Sequence, residues 1–196
     1  MTVASEGKLN NRRIALVIAE GYHEHEFWFP YYRFLEEGAE VVVAGPEVGS
    51  VRGEGPAGRN GLPAEVTHTV EQIDVAELDA VYLPGGIFGP LSLRAHEPTL
   101  KLVRDAMQRG IVVAAICHAQ WVLVSADVVR GRKLTGPPDM AVDITNAGGD
   151  YQKARAVRDG NLITAVYFGY LPHQFRLLMP ALAEDPVDPG VQQVIA

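Results

Sequence analysis

The stretch IVVAAICHAQW, residues 111–121, runs small and apolar residues straight into Cys117, with His118 next to it. Cys117 is the only cysteine among 196 residues. A thiolate is a strong nucleophile and a neighbouring imidazole can move its proton, so the pair suits attack on an electrophilic carbon. Ala115-Ile116-Cys117-His118-Ala119 has the small-x-nucleophile-x-small pattern of a nucleophile elbow, where a tight turn exposes the nucleophile and tolerates only small neighbours. A helix starting behind it would offer free N–H groups and a dipole that favour the thiolate. A lone cysteine is also an ordinary, inert core residue. What stands beside it decides between the two.

Two other stretches bear on that decision. Glu20, His23, Glu24, His25 and Glu26 place five ionisable residues in seven positions. A carboxyl beside a thiol either donates a hydrogen bond to the sulfur or accepts its proton. In LPGGIFG, residues 83–89, Gly85 and Gly86 let backbone N–H groups approach a ligand closely and form an oxyanion hole. His23 and His25 are weak metal candidates, since imidazole suits zinc but two histidines in a loop are more often solvated. Gly53-x-Gly55-x-x-Gly58 matches a dinucleotide fingerprint in letters only, because it neither closes a strand nor opens a helix.

The elements that must position these groups follow from periodicity. RIALVIA (13–19), AEVVVAGP (39–46), AVYLPGG (80–86) and IVVAAIC (111–117) are apolar runs of strand length, suited to strands buried on both faces. EFWFPYYRFLEEG (26–38), EPTLKLVRDAMQRG (97–110), HAQWVLVSADVV (118–129) and YLPHQFRLLMPALAE (170–184) have helical spacing, with Pro30 expected in the first turn of its helix. Residues 47–64 read as a surface excursion, 67–80 as a short strand and a short helix, and DITNAGG as a strand. ARAVRDGNLITAV (154–166) reads as a hairpin turning at Asp159-Gly160. Strands alternating with helices predict a flavodoxin-like, doubly wound α/β sandwich with a mainly parallel sheet and helices on both faces. Residues 1–12 read as a flexible tail and 13–196 as one domain. Ligands of such folds sit beyond the carboxyl ends of the strands, which is where the three stretches fall.

Composition narrows the classes. Hydrophobic content of 47% with 21% charged residues is globular, and Asp and Glu (24) outnumber Lys and Arg (17) for a formal charge of -7. Without a clustered basic face, nucleic-acid binding is disfavoured. No apolar run reaches the length of a membrane span, and a single cysteine points to a reducing compartment, so a cytoplasmic protein is expected.

Taken in order, AEGYHEHEFWFPYYRFLEEGAEV, LPGG, AAICHAQWVLVSADVVRGRKLTG, NAGG and DGNLITA resemble the ThiJ/PfpI superfamily and most closely its PfpI, intracellular peptidase-like branch. The resemblance runs from residue 13 to about 183. It implies a class I glutamine amidotransferase-like fold, a nucleophilic Cys117, a carboxylate partner at Glu26, His118 as an adjacent acid/base, and backbone donors near Gly85, Gly86 and His118. It also implies a homodimer or larger homo-oligomer, a small-molecule substrate, no cofactor, and action on reactive carbonyls of the glyoxalase or deglycase type, or peptidase activity. The sequence departs from the family pattern near the site. No acid follows the Gly-Gly turn near Pro90, the acidic turn reads His23-Glu24-His25-Glu26, and Ala165-Val166-Tyr167-Phe168 replaces a serine–arginine segment. Charged groups give way to aromatic ones, so Phe88, Trp121 and Tyr167 join His23 as expected substrate-facing residues. The expected function is therefore a cofactor-independent cysteine enzyme acting on a small electrophilic carbonyl. The alternatives are a tailoring enzyme with an aromatic pocket (biosynthetic or isocyanide-hydratase-like), an intracellular peptidase, and a redox-sensing stress protein whose thiol is oxidised.

Overall fold

A computed structural model describes residues 7–55, 58, 60–184 and 187–196. In chain order the elements are β1 (Arg13–Val17), β2 (Tyr22–His23), α1 (Glu24–Glu36), β3 (Glu40–Gly45), β4 (Gly49–Glu54), β5 (Pro63–Val66), β6 (His68–Thr69) and β7 (Ala80–Leu83). Then come α2 (Phe88–Leu93), α3 (Glu97–Gln108), β8 (Val112–Ile116), α4 (Gln120–Ser125), β9 (Lys133–Leu134) and α5 (Ala141–Asn146). The chain closes with β10 (Asp150–Tyr151), β11 (Ala156–Asp159), β12 (Leu162–Ala165), α6 (Leu171–Ala183) and β13 (Gln192–Ile195).

The central sheet has the order β13-β11-β12-β8-β7-β1-β3-β6. Pairings from β12 to β6 are parallel, and β11 is antiparallel to both β12 and β13. Strand alternation explains the layers. Ile14, Leu16 and Ile18 pack on one face with Phe27, Phe34, Phe175 and Leu178 from α1 and α6. Ala15, Val17 and Ala19 pack on the other with Val103, Ala106, Val122 and Leu123 from α3 and α4. Both faces are covered, so these strands carry continuous apolar runs rather than alternating ones. This is the flavodoxin-like α/β sandwich expected from the sequence.

Several local expectations are corrected. Leu9 is fully buried and its N–H donates to the Glu37 carbonyl at 2.9 Å, while Arg12 pairs with Asp79 at 2.7 Å. Residues 7–12 are therefore packed rather than a free tail, and residues 1–6 of that expected tail lie outside the described residues. Pro30 is the seventh residue of α1, not in its first turn, and supplies no N–H to the Glu26 carbonyl. DITNAGG is not a strand. Its β-branched residues belong to α5, which buries Ile144 and is followed by Gly148 at φ +84°. The hairpin loop is Gly160-Asn161, with Asp159 and Leu162 paired and Gly160 at φ +58°. The excursion over 47–64 contains β4 and β5, and β4 pairs with β2 so that Glu54 lies opposite His23. The edge strand β13 follows a low-contrast polar stretch that gave no strand signal.

Candidate active site

Register brings the site together. Leu83 of β7 pairs with Ala115 of β8, so two residues further on Gly85 lies beside Cys117. Leu16 of β1 pairs with Tyr82 of β7, so the acidic turn after β1 opens onto the same sheet edge.

β8 ends in a single 3₁₀ turn, Cys117–Ala119, that leads into α4. Cys117 has φ +58°, a left-handed conformation unusual for a residue with a Cβ, and one that elbows impose on their nucleophile. Gly85 is a packing requirement. A Cβ there would lie 2.4 Å from Glu26 Oε2, 2.6 Å from Cys117 Cβ and 2.7 Å from the Ile116 carbonyl oxygen. Only glycine lets strand end, acid and thiol meet.

Glu26, in the first turn of α1, is completely buried. The Gly85 N–H donates to its Oε2 at 2.9 Å. Its Oε1 is buried without a short hydrogen bond, and the Cys117 thiol and the Phe168 N–H face the carboxyl. Burial pushes the Glu26 pKa up to about 8, so the acid holds its proton at neutral pH. Burial and the charge of an ionised Glu26 push the Cys117 thiol upward, while the N–H groups of His118 and Gly86 favour the thiolate. The sequence expectation of a simply lowered thiol pKa is corrected accordingly. Desolvation opposes the helix N-terminus, and the state of the sulfur depends on where the Glu26 proton is. Once Glu26 is protonated, its charge no longer opposes the thiolate and its O–H becomes a donor.

His118 Nδ1 lies 3.4 Å from Cys117 Sγ, and His118 Nε2 lies 3.1 Å from Asp139 Oδ2. With Nε2–H donated to Asp139, Nδ1 is left as an acceptor facing the sulfur. Trp121 packs its ring 4.8 Å from the imidazole and donates from Nε1 to Asp143 at 3.2 Å. Sequence reasoning missed Asp139, which follows two prolines in a loop and belongs to no motif.

A cavity of about 240 Å³ opens at the sulfur, lined by His23, Glu54, Gly55, Gly86, Ile87, Cys117 and His118. Of the residues expected to face substrate, His23 and Gly86 lie on this wall. Gly85 has its N–H committed to Glu26 and is corrected from oxyanion donor to support of the acid. Phe88 and Tyr167 lie outside the lining, and Trp121 stands behind His118. Phe168 also lies outside the lining, and its ring stacks on His23 at 4.9 Å and His25 at 5.3 Å. Among the described residues, His23 and His25 gather no third donor for a metal. Burial lowers the His23 pKa, with His25 a smaller cause. Glu54 is the second residue that sequence reasoning missed, hidden in the Gly-rich stretch read as excursion.

A family model described as DJ-1/PfpI family matches residues 12–180. The chain belongs to the DJ-1/PfpI family. A protein named deglycase from Pyrococcus horikoshii is 35% identical over 153 residues, covering 78% of this chain and 89% of the relative. A protein/nucleic acid deglycase of Escherichia coli is 33% identical over 150 residues, covering 76% and 84%. A solved two-domain protein of Anabaena variabilis, with DJ-1/ThiJ/PfpI-like and ferritin-like domains, superimposes with a TM-score of 0.81 at 34% identity. That match covers 87% of this chain and 48% of the two-domain chain. Within this DJ-1/PfpI chain no helix among the described residues is long and apolar enough to cross a membrane.

Proposed function

We propose that this protein is a cysteine-dependent enzyme of the deglycase or glyoxalase type that acts on small electrophilic carbonyl compounds. The observation that carries the reading is the meeting of the buried acid Glu26 and the His118–Asp139 pair at Cys117, which itself lines a cavity. In the first step the Cys117 proton passes to His118 Nδ1 as the sulfur bonds to the carbonyl carbon, while the protonated Glu26 carboxyl faces the sulfur as a donor. The carbonyl π pair moves to oxygen, and the N–H groups of Gly86 and His118 that face the sulfur are within reach of that charge. The held proton is then delivered to the oxygen, giving a neutral thiohemiacetal. Asp139 orients the imidazole and supports its charged form.

Relatives named deglycases support the class of activity, and the size of the cavity suits a small carbonyl compound better than an extended peptide. No Phe, Tyr or Trp is among the described residues that line it, so that lining does not favour the aromatic-substrate alternative. The test is consumption of methylglyoxal, and release of amine from methylglyoxal-treated amino acids, followed by proton NMR. Wild type should turn over, Cys117→Ser should be inactive, and Glu26→Gln should lose at least about tenfold. Equal turnover by wild type and Cys117→Ser would refute the proposal.

A further inference from the structure

The wall of the Cys117 cavity carries a carboxylate that the proposed reaction does not use. Glu54 ends β4, and its Oε1 accepts from the Ile87 N–H at short range and from the Phe88 N–H at 3.4 Å. The two residues belong to the Gly-Gly turn and the start of α2, the backbone that meets a ligand approaching Sγ. The fit is close. A Cβ on Gly86 would come within 2.7 Å of Glu54 Oε1 and 2.9 Å of the His23 nitrogen. The two strand residues Tyr22 and His23 pair with Gly53 and Glu54, which fixes the carboxylate in register with the acidic turn.

No Lys or Arg is among the described residues lining the cavity. Glu26 is neutral when protonated, and burial keeps His23 uncharged near neutral pH. Asp139 adds a second carboxylate immediately behind His118. The N–H pair of Ile87 and Phe88, which would otherwise attract a substrate anion, is already occupied by a resident one.

We infer that Glu54 is a specificity-determining residue that makes the site select carbonyl compounds that are neutral or carry a positive charge and reject those bearing a carboxylate or phosphate beside the reacting carbon. The inference rests on Cys117 being the reactive group. It gives a reason for a carboxylate with no Lys or Arg among the described residues of the wall: an α-oxo acid would bring its charge into contact with Glu54, whereas a neutral aldehyde or an adduct on an amine would not.

Because Cys117 is the chain's only cysteine, charged thiol reagents read the field at the sulfur directly. The probes are methanethiosulfonates carrying a trimethylammonioethyl, a sulfonatoethyl or a methyl group, timed by intact mass on the full chain. Each rate is divided by that of 2-mercaptoethanol to remove intrinsic reactivity. In wild type the cation-to-anion ratio should exceed that of the model thiol by at least about tenfold, the factor expected for unit charges a cavity's width apart. Glu54→Gln keeps the acceptor for Ile87 and removes the charge. It should lower the ratio by about tenfold, and raising the salt concentration should lower the wild-type ratio in the same direction. A ratio unchanged in Glu54→Gln, or a wild-type ratio equal to that of the model thiol, overturns the assignment of Glu54 alone. Failure of the neutral methyl reagent to label Cys117 in the folded chain overturns the nucleophile reading and this inference with it.

Discussion

A buried acid that keeps its proton to about pH 8 leaves a signature in stability that needs no substrate. Glu26 is ordinarily a group of pKa 4.5, and burial raises it to about 8 in the folded protein. The folded state therefore binds one proton more than the unfolded chain between those values. The stabilising contribution of that proton is fully present below about pH 4.5 and is lost as pH rises towards 8. Each pH unit in the window removes about 1.4 kcal/mol, so about 3 kcal/mol is lost by pH 7. Glu26→Gln fills the same space with a group that does not titrate. The comparison is cleanest in a Cys117→Ser background, where no thiol titrates. Urea unfolding of Cys117→Ser and Cys117→Ser/Glu26→Gln at pH 5, 6 and 7 measures the effect, because every other titrating group is common to both chains and cancels. The double variant should gain on the single variant by about 1.4 kcal/mol per pH unit. A stability difference that stays flat from pH 5 to 7 would show that Glu26 ionises normally, and the description of the site would fail.

Other parts of the account make separate predictions. Asp139→Asn keeps the shape that orients His118 but removes the charge, so turnover should fall about tenfold to a thousandfold with KM less affected, measured by steady-state kinetics. The exposed Asp139 side chain makes its own contribution to stability small, so an unfolding midpoint near wild type is expected alongside. Gly85→Ala drives a Cβ against Glu26, Cys117 and the Ile116 carbonyl, and should destabilise the fold by about 1–3 kcal/mol in urea while slowing Cys117 labelling. Arg158 is buried and holds both carboxylate oxygens of Glu184, at 2.9 and 2.6 Å. Glu184→Gln should cost about 3 kcal/mol. The Arg158 hydrogen bond lowers the Glu184 pKa, so the stability it contributes is present above the ordinary value of 4.5 and lost as pH falls below it, which urea unfolding at pH 3 and 6 will read.

The sheet was legible because β1, β7 and β8 are buried on both faces and their apolar runs are continuous. The same runs end in Gly-Gly and in Cys-His, so the strand ends and the sulfur's place among them could be read together. Glu26 was legible as one of five ionisable residues in a turn, with the family resemblance choosing among them. Asp139 and Glu54 were not, because neither spacing nor periodicity relates them to Cys117. They reach the site through a proline-led turn and through a strand pairing, β2 with β4, that is only two residues long. The aromatic wall expected at Phe88 and Tyr167 misled for a related reason. Proximity along the chain does not say which of several adjacent rings meets the site, and here it is Phe168 that stacks on His23, while Phe88, Tyr167 and Phe168 all lie outside the lining. In α5 the β-branched residues suggested a strand, and burial of Ile144 against Leu134 and Gly149 overrode that local preference.

The central claim is that Glu26 and Cys117 act as one proton-sharing unit. The direct measurement is the pH dependence of iodoacetamide alkylation of Cys117, in wild type and in Glu26→Gln. Below about pH 8 the protonated carboxyl donates to the thiolate, and Glu26→Gln loses that strong donor, so alkylation at pH 7 should slow by about tenfold or more. Alkylation at pH 7 that is unchanged or faster in Glu26→Gln would contradict the account.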